Sequence, residues 1–435
     1  MIEIFQIILF SLVFTSLLFL PFNVFCNDNF NSKVDIVEKT SLNLLINLNI
    51  LLFISFLPLS VQSIQPFVVS SYLLILILSY RKNFDLFFGF FKSFLPLIII
   101  FFLLSINISS EIFLGWDAKS FYYIKSLFFY EEKTIFDLHK FEDSVWHPHF
   151  GSYLWGFFWT LSFIDNEYFG RLFYLFLFCY SFFVISKISQ NQSINNIIFL
   201  LLIFSSYKYE FFSGLQEVII FSFLLLISKY FFLISNKKRN DEILFLCLIF
   251  LSSNLLIWIK SEGIVYFIIF LALLLMQNQI LIKRRAIVVG LFIFFYILKL
   301  IIYDVSELNS SHINQQLFYN LEYILNLNFN IIFYKFTYIF VWFFYYLSNN
   351  IFFSIFIILI IYEKFFVKNE NKINYIYFKT LVIYLFLIIM FIISAYILRD
   401  MEIEYSIRTT MERLIMPASA FFIYPSIKLL INKLN

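Results

Sequence analysis

The stretch that decides how this chain is organised runs from Gly115 to Trp159 and reads GWDAKSFYYIKSLFFYEEKTIFDLHKFEDSVWHPHFGSYLWGFFW. It is the longest polar-rich interval in a chain that is otherwise nearly all apolar. It begins with Trp116 and Asp117 directly after one apolar run, and it ends with His147-Pro148-His149 directly before the next. We therefore interpret it as a polar loop held by a membrane-embedded scaffold.

The composition excludes a soluble protein. Of 435 residues, 62% are hydrophobic and 14% are charged, and the mean hydropathy is +0.87. Such a chain belongs in a bilayer, where most of its 66 Phe side chains face lipid or other helices. The net charge of +3 gives no reason to expect a nucleic-acid partner. The odd count of three cysteines excludes a disulfide framework.

The apolar runs predict an all-α, polytopic transmembrane helical bundle of about 11 to 13 apolar segments. We expect a single membrane domain over residues 1–435, with a main outer loop at 109–149 that bears juxtamembrane helices. Before the loop, the predicted spans are Ile4–Leu20, Leu44–Leu59, Phe67–Leu78 and Phe94–Ile106. After it they are Phe169–Ile185, Ile194–Ser205, Val218–Ile234, Ile243–Trp258, Ile264–Met276, Ala286–Ile302, Ile331–Leu347, Ile351–Ile361, Leu381–Leu398 and Leu414–Leu430.

Basic clusters between the spans predict the topology, because cytoplasmic loops carry an excess of Lys and Arg. The markers are Arg81, Lys82 and Lys92, then Lys237, Lys238 and Arg239, then Lys283, Arg284 and Arg285. They place the 109–149 loop outside only if Phe150–Ile164 is interfacial or re-entrant. Toward the C-terminus, the lysines at 364, 368, 372 and 379 require Ile331–Ile361 to count as one crossing, and this part of the topology stays open.

Asp117 is the first candidate functional residue. The side chains of Trp116, Ser120, Tyr123, Leu127 and Tyr130 share one helical face, which suits a helix lying along the outer membrane surface. Asp117 would then stand at headgroup level, where a carboxylate can act as a general base toward a hydroxyl or bind a divalent metal beside a phosphate. The alternative is a solvated loop carboxylate without a function.

Polar residues elsewhere supply further candidates, each with a structural alternative. His147 and His149, near Glu142 and Asp143, suit a metal or a phosphate, although Pro148 equally starts the next helix. Charged residues at membrane depth are costly and therefore functional candidates, but they also occur in snorkelling turns and polar loops. This second group comprises Lys260, Glu262, Glu210, Glu217, Arg408, Glu412 and Arg413.

Taken in order, these motifs resemble the GT-C superfamily of membrane glycosyltransferases, which includes the protein mannosyltransferases and the aminoarabinose transferases. The chain presents them between Gly115 and Pro417, although Ala118 stands where many members carry a second acidic residue. The residues that carry the resemblance are Trp116, Asp117, Phe121 and Tyr122, then His147-Pro148, Gly170-Arg171-Leu172, Gly214-Leu215-Gln216-Glu217-Val218, Ile259-Lys260-Ser261-Glu262-Gly263 and Arg413-Leu414-Ile415-Met416-Pro417.

The resemblance implies an inverting transferase that moves a sugar from a polyprenyl-phosphate carrier to an acceptor hydroxyl on a lipid, glycan or protein. It implies a multi-pass protein of the bacterial inner (plasma) membrane with its active site on the periplasmic, outer face. Asp117 would be the general base, and Lys260, Arg408 or Arg413 would neutralise the donor phosphate. Trp116, Tyr122, His147, His149, Glu217 and Glu262 would bind or support the substrates, and Asp117, Glu217 and His147 would be the ligands of a divalent metal, if one is used.

Two other functions stay open. An O-antigen polymerase or ligase would also use lipid-linked glycans, and it would depend on Arg408 and the histidines rather than on Asp117. A lipid or solute transporter would show inverted repeats and helices broken by Gly or Pro. The chain has only 8 Gly and 7 Pro and no visible repeat, which disfavours the transporter.

Overall fold

The computed structural model describes residues 2–19, 35–110, 113–140, 147–234, 242–277, 280–308, 329–366, 372–397 and 402–434. Within these ranges it describes every side chain except those at 76, 78–90, 331, 363–366, 372–375 and 432–434. The basic markers at 81, 82, 237–239, 364, 368 and 372, together with Glu142 and Asp143, therefore lie outside the described side chains.

The described ranges are helical and contain no strand, which confirms the all-α prediction. Nine of their helices are long and apolar enough to cross a bilayer, so the chain is an integral, multi-pass membrane protein. The chain divides into two compact units, one of residues 1–219 with 258–260 and one of residues 220–257 with 261–435. The prediction of a single membrane domain stays a prediction.

The first unit contains seven α-helices and three short helical turns. The α-helices are α1 (Ile2–Phe19), α2 (Ile36–Ile54), α3 (Val61–Ser110), α4 (Tyr123–Tyr130), α5 (Phe150–Thr160), α6 (Tyr168–Ser186) and α7 (Gln192–Ser206). A π-helical turn (Ala118–Tyr122) and two 3₁₀ turns (Ile135–Lys140 and Tyr209–Phe212) complete it, and the unit includes the first residues of α8 (Glu217–Ile234) and the end of α9 (Glu242–Ile259).

Phe14 lies at the centre of the first unit, where its ring contacts those of Phe101, Phe158, Phe173 and Phe176. These four rings come from α3, α5 and α6, so the core joins helices that are far apart in sequence. Edge-on and tilted ring pairs of this kind contribute beyond the area that they bury. The phenylalanines that the composition assigns to helix contact thus do hold this unit together.

Helix α2 begins earlier than the sequence pattern predicts, at Ile36 instead of Leu44. The added turns are polar, but they are buried against α1. Asn43 donates to the carbonyl oxygens of Leu18 (2.8 Å) and Phe19 (3.1 Å), and Asn47 donates to that of Leu17 (2.8 Å). These are the last carbonyls of α1, which have no partner inside their own helix. The asparagines therefore satisfy a helix end and can remain buried.

Helix α5 is too short to cross a bilayer as a single perpendicular helix. Its 11 residues extend roughly 16 Å, about half of the hydrocarbon thickness. It packs along α4, where the rings of Tyr123 and Tyr130 stack on Trp159, and Tyr130 donates a 3.0 Å hydrogen bond to Asp165 just after α5. The expectation that Phe150–Ile164 is interfacial or re-entrant stays a prediction.

The second unit contains most of α8 and α9 and six further helices. These are α10 (Ser261–Leu275), α11 (Ile282–Val305), α12 (Phe329–Asn349), α13 (Ile351–Phe366), α14 (Lys372–Ile397) and α15 (Ile403–Leu434). At its centre the buried Phe421 of α15 contacts Phe231, Phe270 and Tyr384. Helices α12 and α13 meet at an angle of 89°, which is the geometry of a broken span or of a re-entrant loop, and counted as one span they would be the tenth candidate among the described residues.

Candidate functional site

The polar end of the first unit is built around the segment that precedes Asp117. Gly115 donates its backbone N–H to the carbonyl oxygen of Ser213 (2.9 Å), which joins this segment to the 3₁₀ turn before α8. Gly214 follows with a φ of +91°, and a Cβ added there would come within 2.7 Å of the Ala118 Cβ. Two segments almost a hundred residues apart in sequence therefore pack with no space for a side chain between them.

Arg171, the second residue of the Gly-Arg-Leu motif, holds these two segments together. Its side chain is 1% exposed, and it forms a two-pronged ion pair with Glu167 at 2.6 and 2.8 Å. The same guanidinium donates to the carbonyl oxygens of Phe212 (2.6 Å) and Phe113 (3.2 Å). One carbonyl belongs to each of the two segments that the Gly115–Ser213 hydrogen bond joins. Arg171 is therefore a structural clamp for the loop that carries Asp117.

Asp117 directly precedes the π-helical turn, which starts at Ala118. π-Helical turns are rare and occur frequently at functional sites. Because such a turn holds one residue more than an α-helical turn, it changes the direction in which the side chains before it point relative to those after it. Trp116 therefore does not lie on the helical face that it was predicted to share with Tyr123. Trp116 is 73% exposed with its ring edge-on to Phe121, whereas Tyr123 packs on α5. Asp117 itself is half-buried at this boundary.

The two histidines lie in different surroundings. The His147 ring is half-buried and lies 5.1 Å from the ring of Phe121 and 5.9 Å from that of Tyr122. It therefore packs against the π-helical turn that comes after Asp117. The His149 ring is fully buried, and its Nε2 lies 2.9 Å from the Ser55 hydroxyl. Because the Ser55 hydroxyl already donates to the Leu52 carbonyl (2.6 Å), it accepts from His149. His147 thus packs against the π-helical turn, while His149 fastens the bend formed by residues 147–149 to the end of α2.

Glu217 and Lys260 form a buried ion pair in the first unit, with 3.0 Å between Oε1 and Nζ. Their side chains are 5% and 10% exposed. Glu217 is the first residue of α8 and Lys260 comes directly after the last residue of α9, so each charge also complements its helix dipole. The two residues, which the resemblance would use separately, are therefore partners of each other.

A polar path connects this ion pair to the π-helical turn. Ser152 donates to the carbonyl oxygen of Tyr122 (3.0 Å). Gln216, with its amide oriented to satisfy both of its ends, accepts from the Ser152 N–H (3.2 Å) and donates to the carbonyl of Ile259. Gln216 immediately precedes Glu217, and Ile259 immediately precedes Lys260. A chain of contacts therefore runs from the π-helical turn, which follows Asp117 and packs on His147, to the ion pair between Glu217 and Lys260.

The other predicted site residues lie in the second unit. Arg408 is exposed and Arg413 is half-buried, and both stand in the first three turns of α15. Glu262 is half-buried at the start of α10 and accepts a hydrogen bond from Ser261 (3.1 Å). Across the described residues, no three His, Cys, Asp or Glu side chains come together as metal ligands do, so this part of the chain does not offer the ligand set expected for a divalent metal.

Lys125 is a residue of this site that the sequence reasoning missed. It stands in α4, where Tyr122, Lys125, Ser126 and Phe129 form the buried face. It is 1% exposed, and its amine donates to the carbonyl oxygen of His147 (2.7 Å). Burial lowers the pKa of Lys125 to about 7. The sequence feature that could have identified Lys125 is its position in an i, i+3, i+4, i+7 stripe of otherwise uncharged residues.

An apolar cavity of about 570 Å³ opens in the same unit. Helices α1, α2, α3 and α5 line it, with residues such as Leu9, Val13, Leu51, Val69 and Phe158. Its polar lining residues include Thr160 and Ser162, where α5 ends, and Gln65, which donates to the Thr160 carbonyl oxygen (3.1 Å). The cavity has the size of a small-molecule pocket, and its lining suits a hydrocarbon chain.

No protein-family model matches this chain, and no curated protein or solved structure matches it either.

Proposed function

We propose that this protein is a glycosyltransferase of the GT-C type, which moves a sugar from a polyprenyl-phosphate carrier to an acceptor hydroxyl. The observation that carries the proposal is the connection of four motifs in one site. Asp117, His147, Glu217 and Lys260 come from segments spread over more than 140 residues, and all four belong to the polar end of the first unit. The resemblance names these same motifs.

In the proposed reaction, the Asp117 carboxylate accepts the proton of the acceptor hydroxyl. The acceptor oxygen then forms a bond to the anomeric carbon from the face opposite the leaving group, and the bond between the anomeric carbon and the phosphate oxygen breaks. The polyprenyl phosphate leaves with the electron pair of that bond, and the configuration at the anomeric carbon inverts. A half-buried carboxylate at the edge of a packed loop suits a general base.

The departing phosphate needs a cation. Lys260 is available inside the site, but it is held by Glu217 at 3.0 Å, so the phosphate would share or replace that carboxylate. The resemblance also names Arg408 and Arg413 for this role, and both belong to α15 of the second unit. Arginine suits this role because its planar guanidinium binds two phosphate oxygens at once.

A lipid-linked donor also agrees with the apolar cavity. A hydrocarbon chain in the cavity would leave its headgroup near the polar atoms of Gln65, Thr160 and Ser162. Helix α5 begins at Phe150, directly after the His147 bend, so the cavity and the site share one helix. We place the site at the outer face of a bacterial inner membrane, where lipid-linked sugar donors with an exposed headgroup are used.

The test is sugar transfer in membranes supplied with radiolabelled polyprenyl-phosphate sugars. Asp117→Asn removes the base and preserves the side-chain shape, so transfer should fall at least about 100-fold at unchanged protein level. Glu131→Gln is the matched control, because Glu131 is an exposed carboxylate at the end of α4 and should leave transfer unchanged. Undiminished transfer in Asp117→Asn would refute the proposed role and would favour the polymerase or ligase reaction.

A further inference from the structure

Lys125 is a buried lysine that the proposed reaction does not use. Its helix α4 is eight residues long and lies outside the nine candidate spans. The side chain points into the contact between α4 and α5, and its amine donates to the carbonyl oxygen of His147 (2.7 Å). A lysine amine has three hydrogens when protonated and two when neutral, so a single carbonyl suits the neutral form better.

The surroundings of Lys125 hold no compensating carboxylate among the described residues. Burial raises the pKa of Tyr123, on the other face of α4, and the carboxylates of Glu167, Asp165 and Glu131 raise it further. The groups on the elements packed around Lys125 are His147 and His149 of the bend, Tyr153 of α5, Tyr122 of the π-helical turn, and Gln62 of α3, which donates to the Tyr130 carbonyl.

A buried amine in such surroundings opposes folding whenever it carries a proton. An uncharged side chain of the same length would fill the same space at lower cost. Residues that lower stability in this way are typical of functional sites, where they are retained for what they do. The position of Lys125 indicates its role, because its amine donates to the backbone of a residue in the site.

We propose that Lys125 is a positioning residue, whose buried amine holds the His147 carbonyl and thereby fixes the imidazole against the rings of Phe121 and Tyr122 beside Asp117, and whose protonation loosens this bend. The predicted effect of Lys125 on sugar transfer rests on the proposed function, whereas its predicted effect on the bend does not. The structural consequence concerns the bend itself and can be measured without any substrate.

The direction of the pH dependence comes from the closed and open states of the bend. In the closed state the pKa of Lys125 is about 7, whereas an open, hydrated bend returns it toward about 10.5. The open state therefore binds more protons between these two values, and opening becomes about tenfold more favourable for each pH unit lost in that window. Below pH 7 both states are protonated and this dependence ends.

The first experiment measures hydrogen exchange of the backbone amides from 147 to 153 in the purified, detergent-solubilised protein. Exchange rates are corrected for the intrinsic effect of pH on amide exchange. In the parent, opening of this segment should increase as the pH falls from 9 to 7. In Lys125→Met the pH dependence should disappear, while Lys133→Met, which alters an exposed lysine just after α4, should behave as the parent. The same pH dependence in Lys125→Met and the parent would overturn the proposal.

The second experiment measures sugar transfer against pH for the same three proteins. The parent should lose activity on the acid side with a midpoint near pH 7. Lys125→Met should transfer more slowly and without this step, because no amine titrates. An acid step that persists in Lys125→Met would assign the titration to a histidine and overturn the proposal. If the parent transfers no sugar at all, the proposed function fails, and the exchange measurement still tests Lys125 by itself.

Discussion

Replacing Arg171 should open the loop that carries Asp117. Arg171→Met keeps an unbranched side chain of similar reach but removes the guanidinium. Glu167, whose side chain is 11% exposed, would then keep its charge without the guanidinium that pairs with it. The carbonyl oxygens of Phe113 and Phe212 would also lose their donor, and these carbonyls flank the backbone hydrogen bond between Gly115 and Ser213.

The magnitude can be worked out from these losses. Removing one partner of a buried ion pair lowers the free energy of unfolding by about 3–5 kcal/mol, mostly because the remaining charge stays buried without its partner. The two orphaned carbonyls add about 1 kcal/mol each or more. The double variant Arg171→Met with Glu167→Gln also neutralises the partner. It removes the cost of the unpaired charge and keeps the cost of the two orphaned carbonyls. We therefore expect the double variant to be more stable than Arg171→Met by at least about 1 kcal/mol.

The assay is unfolding of the purified protein in mixed micelles of increasing SDS content, followed by circular dichroism for the parent, both single variants and the double variant. Sugar transfer by the same proteins would show whether an intact clamp is needed for activity. Strictly additive effects of the two substitutions, or a cost below about 1 kcal/mol for Arg171→Met, would refute the role of Arg171 as a clamp.

Three further predictions concern other parts of the chain. Gly214→Ala should cost about 1–3 kcal/mol in the same unfolding assay because of the positive φ and the contact with Ala118, whereas Gly290→Ala, in an exposed helix with nothing within 4 Å, should be neutral or stabilising by about 0.5–1 kcal/mol. Lys260→Met should cost about 3–5 kcal/mol, and adding Glu217→Gln should recover much of it; equal stability of the single and double variants would contradict a buried pair. Hydrogen bonds from Lys140 and Thr134 lower the pKa of Asp137 to about 2. The 3₁₀ turn at Ile135–Lys140 should therefore be protected from hydrogen exchange above about pH 4 and lose that protection as the pH falls through 2. Protection that persists at pH 1.5 would exclude the Asp137 carboxylate as its cause.

The fold class was predictable because long apolar runs admit few structures in a bilayer. The sequence pattern failed where polar residues are buried by pairing. The predicted span begins at Leu44 and leaves out Asn43, although Asn43 bonds to the last carbonyls of α1 and belongs within α2. The prediction of two spans, Phe67–Leu78 and Phe94–Ile106, joined by a basic loop was also wrong, since α3 runs as one helix from Val61 to Ser110. Hydropathy does not reveal which polar atoms have partners.

The site was predictable as a set of motifs but not as a geometry. The order of short motifs pointed to Asp117, His147, Glu217 and Lys260, and the structure adds the ring contacts of His147 with the π-helical turn and the ion pair between Glu217 and Lys260. The pairing of Glu217 with Lys260, the clamp at Arg171 and the π-helical turn depend on contacts between distant segments. Lys125 was hidden for another reason: a lysine in a surface-like helix is normally solvated, and only the packing of α5 buries it.

The measurement that tests the central claim most directly is donor cleavage by the purified protein. Reconstituted into lipid vesicles with a panel of polyprenyl-phosphate sugars and acceptors, the parent should release polyprenyl phosphate and form a glycoside of inverted anomeric configuration, detected by mass spectrometry and NMR. The Asp117→Asn protein should release none, and Glu131→Gln should match the parent. Release at the parent rate by Asp117→Asn, or a product of retained configuration, would contradict the account.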